Sequence, residues 1–521
     1  MKILKEGFKL FPDQLENAKA LVTKRRALFV DSTGSGKTPT ILYGFSYLFA
    51  KGLVDGLVVF TPKNAHDKEV WKPQIQKFTN FKCMSFEEVE KRVLKGAQIQ
   101  NVLKGIQIVY CKHTSFKNNY SLCVNLLSFY KKPLTVVDEV HAFRSTKSEL
   151  SLRGSMCLSH TFGLWGITAT DLSKNIMDTY KILNFVNPGK LGDEKFFVKM
   201  FCKTRDKVIG RFSNGDLKKV REVVGFKSLS SFKDYVKDTL VIGSRSVSVQ
   251  IHEVPYELSQ SEKDMYQKVS AGFCLDSFVD DDSWLRSVLS KEISEQTSLR
   301  SMKEVERHSS RYIYLQSVVD GSLNSDGTFG LNPGSKSSKL IELLSKIVSR
   351  GESALIYFDY YVSLDNVEYQ LRMSGLKNDK GRPVKIIETS SRKRQKSGFI
   401  TAAMCENTSY VVLCSRAASE SENYPFINNV ILYNVPTTPV TYLQFIGRIT
   451  RRNTLFPDNL HAWILLGDNI DTYKMVVIGN KLQQMKVTSY DLSGVFPDKW
   501  LAPMDNARHL DMAKKHLLWR V

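Results

Sequence analysis

Paired cysteines, long apolar runs and low-complexity tracts are absent from this sequence. The eight cysteines are scattered and form no CxxC pair, which argues against a zinc site or a disulfide framework and favours reduced thiols. No apolar run is long enough to cross a membrane, and Met1–Glu6 lacks the apolar stretch of a signal peptide. We therefore expect an intracellular protein without a membrane partner, located in the cytoplasm, or in the host cytoplasm if the protein is viral.

Positive charge is abundant, because 74 Lys and Arg residues outnumber 53 Asp and Glu residues and give a formal net charge of +21. Such a field attracts polyanions, so nucleic acid is the natural partner. A chain of 521 residues is also too long for one hydrophobic core and predicts two or three domains.

A glycine-containing loop, Asp31–Thr38, follows the apolar run Ala27–Val30, which predicts a buried strand. Backbone N–H groups of such a loop converge on phosphates, the lysine adds a mobile positive charge, and the threonine hydroxyl can hold Mg²⁺. An accidental Gly/Ser loop would not require a strand before it and a helix after it. The predicted nucleotide-binding residues are Gly34, Ser35, Gly36, Lys37 and Thr38.

An acidic pair follows a second apolar run, Pro133–Val137. We expect Asp138 to hold Mg²⁺ through water and Glu139 to orient the attacking water. Alone, this pair could be an ordinary solvated loop, but the upstream phosphate loop favours catalysis.

A third segment, Gln444–Arg452, is rich in arginine. The spacing of Arg448 and Arg451 predicts two guanidinium groups on one helix face, suited to a γ-phosphate whose charge redistributes during transfer. The same residues could instead grip nucleic acid.

Together these segments resemble the superfamily 2 helicases and translocases, which have two RecA-like domains with ATP bound in the cleft between them. The middle of the chain resembles the SNF-type members, a group that includes chromatin remodellers and many viral and phage proteins. Val254–Ser259 is similar to their strand-then-helix entry to the second domain, and Ser337–Leu340 to the start of its main helix.

The resemblance also implies roles for residues outside the three segments. Gln14 resembles the adenine-reading glutamine, and Thr61–Lys63 the first loop that contacts the nucleic-acid strand. Residues that would couple hydrolysis to domain motion are Thr168, Ala169, Thr170 and Gln444.

The predicted fold class is α/β: two RecA-like doubly wound parallel-sheet domains with a mostly helical insertion between them. We expect the first domain over residues 1–245, a linker strand and helical insertion over 246–335, the second domain over 336–490 and a basic tail over 491–521. Asp193–Thr239 is expected to be the helical closing part of the first domain, and the insertion to touch neither core sheet.

Hydroxyl-bearing and basic residues mark a predicted nucleic-acid track. Such groups contact phosphates, so binding should be sequence-tolerant and salt-dependent. The candidates are Lys63, Lys112, Thr114, Arg392, Arg394, Ser415 and Arg416. A solvated loop or a localisation-like basic run is the alternative for Arg392–Lys396, and His113 is expected to be a surface or core histidine.

Three functions remain open, all with ATP and Mg²⁺ as cofactors. The first is a DNA-dependent ATPase that translocates on duplex or branched DNA, which the SNF-like middle favours. The second is an RNA helicase, although no KH or RRM signature is present. The third is an ATP-gated transcription or packaging subunit, for which a full set of hydrolytic residues is unnecessary. A monomer working beside replication, recombination or transcription machinery is expected.

Overall fold

The computed structural model divides the chain into two compact units. The first unit comprises residues 1–246 and 483–492, and the second comprises residues 247–482 and 493–521. The structure describes residues 3–32, 34–63, 66, 70–168, 176–211, 217–243, 249–270, 313–324, 329–389, 408–415, 424–436, 438–450, 454–484 and 496–500. No helix within these ranges is both long and apolar enough to span a membrane.

In the described part of the first unit, seven parallel strands form one sheet in the order β3-β4-β2-β5-β6-β1-β9. The strands of this unit, including a separate hairpin, are β1 Arg26–Val30, β2 Gly56–Thr61, β3 Cys83–Ser85, β4 Ile108–Lys112, β5 Pro133–Asp138, β6 Gly163–Thr168, β7 Cys202–Arg211, β8 Leu217–Phe226 and β9 Leu240–Ile242.

Two hydrophobic cores cover the two faces of this sheet. Along β1, Leu28 and Val30 belong to one core, whereas Ala27 and Phe29 belong to the other. This alternation is the side-chain period of a strand, and burial on both faces explains why the strands read as continuous apolar runs.

The helices of the unit are α1 Pro12–Val22, α2 Lys37–Ala50, α3 Trp71–Phe78, α4 Phe86–Leu94, α5 Ile99–Leu103, α6 Ser115–Asn118, α7 Tyr120–Phe129, α8 Glu149–Leu158, α9 Ile176–Val186, α10 Glu194–Phe201 and α11 Leu229–Val236.

One expectation for the first unit is wrong, because Asp193–Thr239 is not wholly helical. Between α10 and α11, strands β7 and β8 pair in antiparallel fashion as a two-stranded ribbon. The residues Val208, Val220 and Val223 favour strands, since β-branched side chains fit a pleated surface. The Asn214-Gly215 pair between the two runs is a sequence signal for a hairpin that could have revealed it.

In the described part of the second unit, six parallel strands form a sheet in the order β10-β15-β14-β11-β13-β12. Its strands are β10 Gln250–Pro255, β11 Ala354–Phe358, β12 Lys385–Thr389, β13 Tyr410–Ser415, β14 Asn429–Leu432 and β15 His461–Leu466. Its helices are α12 Gln260–Ser270, α13 Ser335–Val348, α14 Tyr361–Ser374, α15 Pro439–Ile446 and α16 Ile470–Gln484.

The expected fold class, two parallel-sheet α/β domains, is confirmed. The expectation that the intervening segment touches neither core sheet is wrong for its described residues. Residues 313–319 lie within the expected insertion, are helical and contribute Leu315 and Val319 to the second core, whereas the expected linker strand is β10, which pairs with β15 at the edge of the second sheet. Burial of these apolar side chains against the second core is more favourable in free energy than their exposure in a solvated insertion would be. The boundaries at residues 245, 335 and 490 stay predictions.

A buried ion network crosses the second unit. Lys336 is fully buried, and its Nζ lies 2.6 Å from Asp471 Oδ2 and 3.4 Å from Asp320 Oδ1. Asp320 Oδ2 also accepts a hydrogen bond from Asn434 Nδ2, just past the end of β14, at 2.8 Å. Because buried charges must be paired, this network fixes α13 and α16 to the strand ends.

Candidate nucleotide site

The phosphate loop joins β1 to α2 as the sequence predicts. Gly34 has φ 77° and Gly36 φ 87°, values in the left-handed region that glycine adopts without strain. Gln14 Nε2 donates to the Ser35 carbonyl oxygen at 2.8 Å, and a Cβ on Gly36 would lie 2.0 Å from that same Nε2. Gln14 therefore supports the loop from α1, and its reading of adenine stays a prediction.

Lys37 folds back over the loop. Its Nζ donates to the carbonyl oxygens of Asp31 at 3.1 Å and Ser32 at 2.9 Å. These oxygens supply the negative partial charge that phosphate oxygens would supply to the same ammonium. Thr38 is half-buried at the start of α2. Among the described residues, the buried Ser32 Oγ has no hydrogen-bond partner. A loop with left-handed glycines, a mobile lysine and an unsatisfied hydroxyl fits a triphosphate.

Asp138 ends β5, and its carboxylate is held in a fixed orientation. Oδ2 accepts from Trp71 Nε1 at 3.2 Å and from Thr61 Oγ1 at 3.3 Å, while Oδ1 accepts from the Glu139 N–H at 3.0 Å. Burial, followed by the charge of Glu139, raises the pKa of Asp138 to about 6, whereas Lys37 and the two side-chain hydrogen bonds oppose the rise. The positive charge of Lys37 in the phosphate loop is thus among the groups that favour the ionised Asp138 carboxylate.

Glu139 has an unusual backbone. With φ 49°, it is the one non-glycine residue with positive φ in the described part of the chain, and such strain persists only where its surroundings enforce it. Its Oε2 lies 3.2 Å from His141 Nδ1 and accepts from Thr168 Oγ1 at 3.5 Å. His141 Nδ1 is also 3.3 Å from Thr168 Oγ1. The three side chains thus form a small polar cluster that orients the Glu139 carboxylate.

His113 lies beneath this cluster as a buried histidine, in agreement with its expected surface or core role. Its Nε2–H donates to the Asp138 carbonyl oxygen at 2.8 Å. Burial lowers the pKa of His113 to about 4, so the ring is neutral at physiological pH and fixes the end of β5 without adding charge.

These residues meet because neighbouring parallel strands end at one sheet edge. Strands β2, β5, β6 and β1 are adjacent in this order, and ligands of doubly wound sheets bind outside the carboxyl ends of their strands. The side chains at or just past those four ends are Thr61, Asp138, Thr168 and Asp31. The sequence predicts no role for Trp71 or His141 and only a nucleic-acid role for Thr61. These residues act by holding Asp138 or Glu139, and no motif spacing marks a residue with such a role.

The arginine segment differs from its expected form. Helix α15 ends at Ile446, and Arg448 lies in the turn that follows, where its N–H donates to the Phe445 carbonyl oxygen at 3.0 Å. Arg448 is also only 5% exposed. The prediction that Arg448 and Arg451 lie together on one helix face is therefore wrong for Arg448. The i→i−3 hydrogen bonds of a tighter turn replace the helix. Gln444 is half-buried within α15, and Arg451 lies outside the described residues.

The predicted nucleic-acid residues are dispersed over both units. Lys63 and Thr114 are exposed, while the Lys112 Nζ lies 3.1 Å from Glu87 Oε1, which offsets its charge. Ser415 is buried at the end of β13, and its Oγ has no hydrogen-bond partner among the described residues. The predicted residues that lie outside the described ranges are Arg392, Arg394, Arg416, Ala169 and Thr170.

Two family models match the chain. The SNF2-related domain matches residues 14–316, more than half of the chain, and the Helicase conserved C-terminal domain matches residues 335–453. The chain belongs to the SNF2-related family. It is accordingly an ATPase of the helicase type that uses ATP and acts with nucleic acid, as the resemblance in the sequence predicts.

Relatives of this SNF2-related chain occur in bacteria and animals. YqhH of Bacillus subtilis (strain 168), named as an uncharacterized ATP-dependent helicase, is 22% identical over 470 residues, which are 85% of this chain and 73% of YqhH. Chromodomain-helicase-DNA-binding protein 6 of Rattus norvegicus is 21% identical over 258 residues, which are 47% of this chain but 9% of that protein. Among solved structures, the Sulfolobus solfataricus SWI2/SNF2 ATPase core in complex with dsDNA is similar over 89% of this chain and 90% of its own length, at 15% identity and a TM-score of 0.38.

Proposed function

We propose that this SNF2-related chain is an ATP-dependent translocase that moves along duplex or branched DNA. The observation that carries the proposal is the position of the acidic pair: Asp138 and Glu139 lie at the same sheet edge as the phosphate loop, and Lys37 influences the Asp138 carboxylate. A site of this kind positions a triphosphate and a water molecule, which is most of what phosphoryl transfer requires.

The residues of the site divide the work of hydrolysis. Gly34, Gly36 and Lys37 bind the phosphates through backbone N–H groups and an ammonium. Thr38 and Asp138 would hold Mg²⁺, which would neutralise charge on the phosphate oxygens. Glu139, oriented by His141 and Thr168, positions the attacking water.

The net charge and the family support DNA as the substrate. The charge of +21 attracts a polyanion, and the matched relative from Rattus norvegicus is named as a DNA-binding helicase. The predicted track residues are hydroxyl-bearing or basic, so DNA of any sequence should bind. We place the protein inside the cell as a monomer that works beside replication, recombination or transcription machinery.

The test is a comparison of ATP hydrolysis with different nucleic acids. We expect duplex, forked or four-way-junction DNA to stimulate turnover at least about tenfold, equivalent to about 1.4 kcal/mol of barrier. Single-stranded DNA and RNA of equal length serve as comparisons, and Glu139→Gln controls for contaminating ATPases. Stimulation by RNA but not by DNA would instead identify an RNA helicase. Turnover that no nucleic acid changes would contradict translocation.

A further inference from the structure

A groove with a volume of about 910 Å³ lies in the first unit between α10 and the β7–β8 ribbon. Helix α10 contributes one wall, the two strands contribute the other, and the buried Cys202 lies at the junction. The groove is separate from the phosphate loop and the acidic pair, since none of their residues lines it. Neither the nucleotide site nor the predicted nucleic-acid track uses it.

The lining of the groove is strongly cationic. Its charged residues are Glu194, Lys195, Lys199, Lys203, Arg221 and Lys227, so five cations face one carboxylate. All five cations are exposed, and among the described residues none of them forms an ion pair with a carboxylate.

Several other surface cations of the same unit are paired with carboxylates, unlike the five that line the groove. Arg92 pairs with Glu88 and Arg153 with Glu149 along their own helices, and Lys190 pairs with Asp238. A concave surface where positive charge is not compensated focuses an attractive potential on anions.

The segment of the sequence that contains the ribbon is rich in basic residues. Residues 202–227 contain eight Lys and Arg against three Asp and Glu. Each strand has 10 residues. At about 3.3 Å per residue such a strand spans roughly 30 Å, close to one turn of duplex DNA.

The base of the ribbon is anchored in the first core. Phe226 at the end of β8 packs against Phe232 with ring centroids 4.8 Å apart, and Phe201 packs against Phe232 at 5.3 Å. The Lys227 Nζ donates to the Lys199 carbonyl oxygen across the groove. The cations are therefore displayed on a fixed scaffold, which reduces the entropy lost on binding.

We propose that this groove binds the sugar-phosphate backbone of the duplex DNA on which the protein acts. The inference rests on the proposed function and adds a second contact, distinct from the predicted track. An extended row of phosphates matches an open groove lined by five cations better than a compact anion does. The contact carries no base information, so it strengthens binding equally for all sequences.

The experiment compares two triple variants of the full chain. Lys195→Gln, Lys203→Gln and Arg221→Gln remove three cations from the groove. The control removes three exposed and equally unpaired cations of the same unit: Lys91→Gln, Lys95→Gln and Lys104→Gln. Binding to a labelled duplex of about 30 base pairs, roughly three helical turns, is measured without nucleotide over a range of salt concentrations.

We expect the groove variant to bind the duplex at least about tenfold more weakly, and its plot of log Kd against log salt to lose about two to three units of slope, since each lost phosphate contact removes about 0.9. The control variant should stay within about threefold of the unaltered protein. Basal ATP hydrolysis without DNA and the thermal unfolding midpoint should be unchanged in both.

Equal binding by the groove and control variants would overturn the inference and leave the proposed function standing, provided that DNA still stimulates the unaltered protein. Absence of DNA binding and stimulation in the unaltered protein would overturn both. Polyglutamate of matching charge is the comparison for an acidic protein partner. If it binds the unaltered protein as tightly as DNA and loses affinity in the groove variant, the groove binds acidic protein and the inference is wrong.

Discussion

At the scale of single residues, the acidic pair shows how neighbouring carboxylates acquire different roles. Asp138 is half-buried, and its carboxylate is held in one orientation by Trp71, Thr61 and the following N–H. Glu139 is also half-buried, adopts a strained backbone and contacts His141 and Thr168. A fixed carboxylate suits a metal ligand, whereas an accessible one suits the positioning of water.

Substitutions of Glu139 and Lys37 should affect ATP hydrolysis and ATP binding separately. We expect Glu139→Gln to bind ATP within about threefold of the unaltered protein but to lose at least about 100-fold in kcat, the usual contribution of a positioned base. Lys37→Ala should instead weaken ATP binding, because the ammonium that contacts phosphate is lost. Nucleotide affinity and single-turnover hydrolysis are measured in parallel, with Glu88→Gln, an exposed carboxylate on α4, as the control. Near-normal turnover by Glu139→Gln would remove Glu139 from the mechanism.

At the scale of elements, the phosphate loop depends on contact with α1. Gln14 on this helix donates to the Ser35 carbonyl oxygen, and its Nε2 occupies the space beside Gly36 where a Cβ would lie. The loop shape is thus enforced from outside as well as by its own glycines, which prepares the backbone N–H groups for phosphate before it binds.

A pair of glycine substitutions tests this contact. Gly36→Ala combines a positive φ of 87° with a collision 2.0 Å from Gln14 Nε2, whereas Gly52→Ala has a positive φ of 67° and nothing within 4 Å of the new Cβ. Both carry a backbone cost of about 1–2 kcal/mol. Only Gly36→Ala should also lower ATP affinity, by at least about tenfold, through displacement of the loop. Equal ATP affinity in both variants would show that Gln14 does not shape the site.

The sequence predicts the elements of the sheets better than the connections between them. Strands β1 and β5 appear where the apolar runs Ala27–Val30 and Pro133–Val137 predict them, because burial on both faces leaves almost no polar position. The short strands β3 and β9 escape prediction, since three residues carry too little pattern.

The site could be predicted as far as its motifs extend. Lys37, Asp138 and Glu139 are marked by local sequence, whereas Trp71 and His141 join them only through the fold. The β7–β8 ribbon was missed because its many lysines conceal the alternation of a strand. Arg448 was misplaced since Gly447 and the residues after it leave the helix in a tight turn.

At the scale of the whole molecule, the predicted chemistry draws on both compact units. Lys37 and Glu139 belong to the first unit, and Arg448 belongs to the second. If the arginines neutralise charge that develops on the γ-phosphate, hydrolysis requires residues from both units and can drive relative movement of the units.

The arginine segment can be tested for this role. We expect Arg451→Ala to bind ATP and DNA within about threefold of normal yet to lose at least about 100-fold of DNA-stimulated hydrolysis, because a finger acts only on the transition state. Arg452→Ala, the adjacent cation, should hydrolyse ATP normally. Loss of DNA affinity without a defect at saturating DNA would identify the segment as a phosphate grip.

Displacement of a third strand from duplex DNA tests the central claim most directly. A protein that translocates along an intact duplex removes a triplex-forming oligonucleotide bound ahead of it, without separation of the two duplex strands. We expect the unaltered protein to displace the oligonucleotide only when ATP is present, and Glu139→Gln to displace none although it binds the same DNA. Duplex-stimulated ATP hydrolysis without any displacement would contradict translocation along DNA.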